Sequence, residues 1–223
     1  GPLAGCKVVV TAGGTQEPID PARVIANRSS GKQGMALAQA ALDLGATVTL
    51  IAGPVSLPAP IGARRVDVNT TQEMLESTLA ESAEADALLM AAAPADFRPI
   101  APAPEKIKKE TGALRIELVA NPDILAAVAR QRAERGCPKV TVGFAAESQD
   151  LLENARQKLQ AKRLDFIAAN DIGARDAGFS VDTNRVTLLY ADGRIEALPL
   201  LSKAEVAEII LARVTELLKK PSN

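Results

Sequence analysis

Chemistry in this chain has to be sought among lysines, carboxylates, amides and main-chain groups, because its 223 residues include no histidine. That absence removes Ser-His-Asp and Cys-His nucleophilic machinery, imidazole-based zinc sites and histidine general bases. The stretch NRSSGKQG, Asn27 to Gly34, has the form of a phosphate loop, a small-residue turn ending in Gly-Lys ahead of an apolar-periodic run. It is not a Walker A loop. That pattern needs Gly five positions before the Gly-Lys glycine and Ser or Thr after the lysine, and Ala26 and Gln33 hold those places. Ser29, Ser30 and Gly31 still offer hydroxyl and amide donors to a phosphate.

EKIKKE, Glu105 to Glu110, carries Lys106, Lys108 and Lys109 behind a proline-studded segment, Pro94 to Pro104. Proline excludes that segment from a regular helix and from a central strand. A charge run is by default a solvated loop. The functional alternative is a flap over residues 95–112 whose ammonium groups close over a polyphosphate, offset its charge and exclude water. Lys158 and Lys162 stand four apart and so share one helix face, as a wet cationic stripe or as further phosphate contacts. AAAPAD, Ala91 to Asp96, is almost bare of side chains, which lets a planar ligand approach main-chain groups. Cytosine, an amino donor beside ring acceptors, suits such groups, although the same small residues could merely pack against a helix.

Gly13-Gly14 lacks the Gly-x-Gly-x-x-Gly spacing, and the second strand ends in Ile51-Ala52-Gly53 without an acid to hold a ribose. A nicotinamide-dependent short-chain reductase is the main rival. Such enzymes usually present Tyr-x-x-x-Lys, whereas the lone tyrosine, Tyr190, has Arg194 at that position. A non-catalytic nucleotide-binding module is the other rival.

These residues need elements to position them, and strands and helices alternate. Val8 to Val10 reads as a strand, TAGGTQEPIDP as a turn-rich connection, and Lys32 to Leu44 as a helix closed by Gly45. ATVTLIA and Arg65 to Val68 follow as strands, then a helix opened by the Thr70/Glu73 capping box. Ala85 to Ala92 has the unbroken apolar character of a central parallel strand. Asn121 is expected to cap the next helix with Pro122 at its first position. KVTVGFAAE, a helix from Asp150 to Arg163, and DFIAAND complete the alternation. A hairpin about Ala191-Asp192-Gly193 and a last helix capped at Ser202 to Glu205 end the chain. The sum is an α/β fold: a Rossmann-like open, mostly parallel sheet with helices on both faces and an antiparallel edge addition near the C-terminus.

Length and a hydrophobic fraction of 47% fit one domain, residues 1–223, with a substantial core. A net charge of −1 and 2% aromatic residues argue against nucleic acid. No apolar run approaches the roughly twenty residues that span a bilayer. Cys6 and Cys137 lie outside metal and redox spacings and read as structural thiols in a reducing cytoplasm. Gly1-Pro2 has the form of a tag-cleavage scar, which suggests a domain excised from a longer chain.

TAGGTQEPIDPARVIANRSSGKQG, AAAPADFRP, PEKIKK, NPDIL, GFAAES, the Lys158/Lys162 helix, DFIAAND and FSVDTNRVTLL follow in one order. In that order they resemble the bacterial phosphopantothenoylcysteine synthetases over nearly the whole chain. The resemblance implies that CTP, with Mg²⁺, activates 4′-phosphopantothenate as an acyl cytidylate, which L-cysteine converts to an amide. It implies Lys106 and Asn27 as catalytic residues. Met90, Ala91, Ala92, Asp96, Asn121, Pro122, Asp123, Ile124, Phe144, Lys158 and Lys162, with Lys106, would hold CTP. Arg23, Asn27 and Ala93 would contact the acyl substrate. It leaves the metal ligands unassigned and implies a homodimer, often fused to a flavin-dependent decarboxylase. Pro94 departs from the family's frequent valine but keeps the Asp96 to Lys106 spacing.

Overall fold

The aliphatic run at the start of the chain and TLIA further on pair side by side as buried parallel strands, from Lys7 opposite Thr47 to Ala12 opposite Ala52. The computed structural model describes residues 1–109, 113–147, 150–171 and 182–219. Its elements are β1 (Lys7–Ala12), β2 (Gln16–Asp20), β3 (Arg23–Ala26), α1 (Lys32–Asp43), β4 (Thr47–Ala52), β5 (Arg64–Asp67) and α2 (Thr71–Ser82). Then come β6 (Ala87–Met90), β7 (Phe97–Pro99), β8 (Leu118–Ala120), α3 (Ile124–Arg135), β9 (Val140–Glu147), α4 (Leu151–Ala161) and β10 (Phe166–Asp171). The chain closes with β11 (Thr183–Asn184), β12 (Val186–Tyr190), β13 (Ile195–Ala197), β14 (Leu201–Ser202) and α5 (Lys203–Lys219).

The main sheet runs β13-β12-β10-β9-β6-β1-β4-β5. The strands from β10 to β5 are parallel, and β12 and β13 add antiparallel at one edge, as the alternation and the terminal hairpin signal predict. α1 and α5 bury Leu37, Ala38, Ile210 and Leu211 on one face; α2, α3 and α4 bury Met74, Val128 and Ala155 on the other. Each large aliphatic side chain so placed contributes about 1.5–3 kcal/mol. The chain leaves β1 through α1 to β4 on one side, then returns through α2 to β6 on the other. The order therefore reverses between β1 and β6, and a crevice opens at their carboxyl ends.

That crevice is tightly knitted. The Thr11 hydroxyl donates to Met90 Sδ at 3.2 Å and accepts from Ala92 N–H at 3.1 Å, and Ala93 N–H donates to Gly13 C=O at 2.8 Å. Gly14 is required there, since a Cβ would lie 2.8 Å from the Asn27 carbonyl oxygen. Gly34 lets α1 sit on β1; a Cβ would come within 2.5 Å of Ala12 Cβ.

Two expectations are corrected. TAGGTQEPIDP is not only a connection, because it supplies β2, which pairs with β3 as an antiparallel hairpin. The Asp20 side chain closes the turn by accepting from Ala22 N–H and Arg23 N–H, a local side-chain device with no periodicity to betray it. Asn121 does not cap α3: Asp123 does, accepting from Ala126 N–H at 2.9 Å, which leaves Pro122 just outside the helix. Asn121 is spent elsewhere, donating to Ala95 C=O at 2.8 Å and accepting from Arg98 at 3.0 Å. The proline-studded segment contributes β7, paired only with β8 in a small separate sheet. Residues 110–112 of the expected flap, Ser148 of GFAAES and Phe179–Val181 of FSVDTNRVTLL lie outside the described residues.

Candidate functional site

Two cavities open at the reversal point and share the walls Ala92, Pro94, Asp96, Phe144 and Lys158. The outer lobe, about 260 Å³, is bounded by Met90, Asn121, Pro122, Asp123, Ile124 and Lys162 among others. The inner lobe, about 370 Å³, is bounded by the turn from Ser29 to Gly34, by Asn27 and Ala91 to Ala93, and by Asn170, Asn184 and Lys203.

Hydrogen bonds fix the shared wall. The Asn27 amide donates to Pro94 C=O at 2.9 Å. Ala95 N–H donates to the Thr15 hydroxyl at 2.8 Å, which lies 2.8 Å from the Thr71 hydroxyl. Glu17, buried, accepts from Thr71 N–H at the head of α2, where the helix dipole favours a carboxylate. Lys158 Nζ donates to Phe144 C=O at 2.8 Å, so the ammonium stands between the lobes. Lys162 is ion-paired to Asp123. Burial would raise the Asp123 carboxyl, but the hydrogen bonds from Lys162 and Ala126 N–H prevail and hold it below its ordinary value.

Four lysines (Lys32, Lys158, Lys162, Lys203) and two aspartates (Asp96, Asp123) line the two lobes. The excess of cations suits polyanionic ligands, which a low-dielectric cleft binds more strongly than open surface. Among the described residues, no three histidine, cysteine, aspartate or glutamate side chains gather as a metal site.

The structure brings most of the expected residues together. Met90, Ala92, Asp96, Asn121 to Ile124, Phe144, Lys158 and Lys162 line the outer lobe, while Ala91, Ala93, Asn27, Ser29, Ser30 and Gly31 line the inner one. Lys106 and Arg23 lie outside both. They share a shallow recess with Ala22, Ile107, Lys108 and Lys109. Asp20 holds this region: its carboxylate accepts from Arg23 Nε at 3.0 Å and from Ile107 N–H at 3.1 Å, and Arg23 donates onward to Ile107 C=O at 2.6 Å. Burial would raise the Asp20 carboxyl, but Arg23 and the Ala22, Ile107 and Arg23 N–H groups lower it to about 2.

Sequence reasoning missed Lys32, Gln33, Asn170, Asn184 and Lys203 on the inner wall. Lys32 and Gln33 stood in the Gly-Lys motif itself, Asn170 in DFIAAND, and Lys203 beside the last capping residue. Only the meeting of α1 with α5 and with the ends of β10 and β11 makes them neighbours.

Residues 3–218 match the family model described as DNA/pantothenate metabolism flavoprotein C-terminal domain. The chain is 44% identical over 219 residues to the coenzyme A biosynthesis bifunctional protein CoaBC of Vibrio vulnificus (strain CMCP6), covering 97% of this chain and 54% of that protein. Against the Bacillus subtilis (strain 168) protein of the same name it is 45% identical over 220 residues, covering 98% and 53%. The fold matches the crystal structure of the C-terminal domain of CoaBC with a TM-score of 0.81 at 36% identity, over 98% of both chains. The chain spans about half the length of the curated relatives it matches.

Proposed function

The chain belongs to the family of DNA/pantothenate metabolism flavoprotein C-terminal domains, and from that premise we propose that it ligates 4′-phosphopantothenate to L-cysteine at the expense of CTP. One observation carries the reading: an inner lobe with Lys32, Lys158 and Lys203 meets an outer lobe with Lys158, Lys162, Asp96 and Asp123 along the Ala92 to Asp96 wall. Two anionic reactants can be brought into contact only at such a junction. With CTP in the outer lobe and the acid in the inner one, the carboxylate oxygen attacks the α-phosphorus and pyrophosphate leaves. The cysteine amine then attacks the acyl carbon, loses a proton, and expels CMP.

This chain's residues bind, orient and neutralise. The main-chain groups of Met90 to Ala92 would read the cytosine edge. Lys158 and Lys162 would offset phosphate charge as it redistributes, and Asn27, anchored on Pro94 C=O, would orient the activated acyl group. Mg²⁺ fits as an ion brought by the triphosphate, since such ions typically take only one or two protein carboxylates. Asp96 and Asp123 are the carboxylates of the outer lobe, and the ion's chemistry there would be to neutralise the leaving pyrophosphate.

Lys106 acts, on this reading, from a flap that reaches a cleft either by swinging from its Asp20 anchor or by crossing to a second copy. We favour a homodimer. Val24, Phe97, Leu118 and Val119 are exposed on the β2–β3 and β7–β8 sheets, with Phe97 52% accessible, and a face of that kind is usually covered. Sedimentation should show a dimer that Phe97→Asp dissociates. A flavin-dependent decarboxylase would be fused to this domain, and the setting would be the bacterial cytoplasm. Among the described residues no helix is long and apolar enough to cross a membrane.

The test is isotope exchange. Labelled pyrophosphate should enter CTP only when 4′-phosphopantothenate is present, without cysteine. Failure of that exchange in active-site-intact protein removes the ligase reading.

A further inference from the structure

The wall between the lobes poses a packing problem. From Ala91 to Ala95 its side chains are alanines and one proline, too small to fix a main chain by interdigitation alone. Yet Ala95 is 3% exposed, and Asp96, the next residue, lines both lobes. Hydrogen bonds have to place this segment, and they close into a ring.

Proton accounting gives the ring its direction. Ala95 N–H donates to the Thr15 hydroxyl at 2.8 Å, which leaves Thr15 its own proton to place. Thr15 is fully buried, and the neighbouring acceptor is the Thr71 hydroxyl at 2.8 Å. Thr71 then turns its proton to Ala95 C=O, at 3.3 Å. The circuit leaves Ala95 by its N–H and returns to the same residue by its C=O. Around it each hydroxyl both accepts and donates, the arrangement in which hydrogen bonds polarise and strengthen one another.

Two props hold the ring from outside. Arg98 can only donate, so Asn121 turns its Oδ1 to Arg98 at 3.0 Å and its Nδ2 to Ala95 C=O at 2.8 Å, with the Thr71 hydroxyl 3.3 Å from that nitrogen. Glu17, 2% exposed, accepts from Thr71 N–H at 2.8 Å and pins the first residue of α2. Ala95 C=O and Asp96 N–H share one rigid peptide plane, so fixing the carbonyl also aims the Asp96 N–H and the root of its side chain. Thr71, Ala95 and Asn121 line the outer lobe, whereas Thr15 and Glu17 stand behind it and line neither lobe.

We propose that Thr15 and Thr71 are positioning residues for the nucleotide, acting through the Ala95–Asp96 peptide, and that Glu17 holds Thr71 in place for that task. The assignment of a nucleotide to the outer lobe rests on the ligase reading. The ring makes a wall without bulky side chains rigid enough to present Asp96 and the adjoining main-chain groups in one geometry. The inner lobe has its own anchor, Asn27 on Pro94 C=O at 2.9 Å, so opening the ring acts first on the outer lobe.

Two measurements on the folded protein test this. Without ligand, amide hydrogen exchange at Ala95 should quicken about ten-fold in Thr15→Val and in Thr71→Val, the worth of one hydrogen bond. Ala93, whose N–H is bound to Gly13 C=O, should exchange as before. By calorimetry, each variant should weaken CTP about ten-fold and leave 4′-phosphopantothenate unchanged. Thr71 borders the outer lobe and could touch a ligand directly, but Thr15 reaches CTP only through Ala95. The two substitutions together should weaken CTP no more than either alone, because a ring opens once. Thr71→Ser keeps the hydroxyl and should bind CTP normally. Glu17→Gln keeps an acceptor for Thr71 N–H and should do the same, whereas Glu17→Leu should follow Thr71→Val. Equal weakening of both ligands would mean general loosening and overturns the positioning role. Unaltered exchange at Ala95, or additive losses in the double variant, overturns the ring. Should Thr71→Val fail to fold, Thr15→Val decides. Wild-type protein without affinity for CTP removes the ligase reading and the nucleotide role with it, while exchange at Ala95 still decides the ring.

Discussion

The cleft and the flap are fastened by different means. At the cleft, Thr11, Thr15, Thr71 and Asn121 are buried or half-buried, and each links separate segments through hydrogen bonds of 2.8–3.3 Å. The flap is held at its surface, by Ala103 N–H on Ile19 C=O at 2.8 Å and by the contacts of Ile107 with Asp20 and Arg23, while Lys106, Lys108 and Lys109 are exposed. A buried network rigidifies because every member must be satisfied at once. A segment held by a few surface hydrogen bonds keeps more freedom to move. The cleft is therefore arranged before ligands arrive, and the catalytic role proposed for Lys106 would require motion or a neighbouring copy.

Removing the flap's chemistry without touching the cleft gives the largest effect. Lys106→Gln should lower acyl-cytidylate formation by about 10³-fold, the scale set by loss of one preorganised charge contact, and leave thermal stability unchanged because an exposed side chain packs against little. Rapid-quench measurement of CMP transfer checks it, and a near-normal rate would show that the flap is only a loop. Asn27→Asp comes next. It replaces the donor to Pro94 C=O with a negative charge facing both the carbonyl and the acyl phosphate, and should slow amide formation about 10²-fold in a single turnover. If cysteine captures the intermediate at the normal rate, Asn27 belongs to the wall and not to the chemistry.

A perturbation of the cleft alone should register as stability. Thr15→Val keeps the shape but leaves Ala95 N–H buried without its acceptor, at a cost of about 1–3 kcal/mol. Chemical denaturation should show that loss, together with weaker CTP binding as the Ala95 to Asp96 backbone loosens. A stable Thr15→Val protein with unchanged CTP affinity would mean that the wall is held by packing, and the contrast between the two regions would lose its basis.

The same contrast explains what could be read from the chain before its structure. Strands and helices carry periodicity, so the sheet and its antiparallel edge were legible. So were AAAPAD and NPDIL, because contiguous residues at strand ends converge on a crevice by topology alone. Asn121 illustrates the limit. It has the right type and place to cap α3, yet tertiary partners at Ala95 and Arg98 claim its amide, and Asp123 takes the cap. Lys203 is harder still, lying 170 positions from the Gln33 that it touches. No local pattern signals a pairing that exists only when two helices share one face of a sheet.

The smallest effect expected concerns the anchor itself. Asp20 has a carboxyl value of about 2 in the folded protein against 3.8 when free. A lowered value means that the ionised form favours the folded arrangement, through Arg23 and Ala22 N–H first and the flap's Ile107 N–H beside them. The contribution is complete above pH 3.8 and is lost as pH falls through 2, so near neutrality the anchor is insensitive to pH and only mutation can release it. Asp20→Asn keeps the shape while removing the charge that Arg23 and Ile107 N–H share. Hydrogen exchange at pH 7 should then quicken at Ile107 and its neighbours, while Ala92, Ala93 and Ala95 exchange as before. If the cleft amides quicken equally, Asp20 is a member of the buried network and the flap is no freer than the wall beside it.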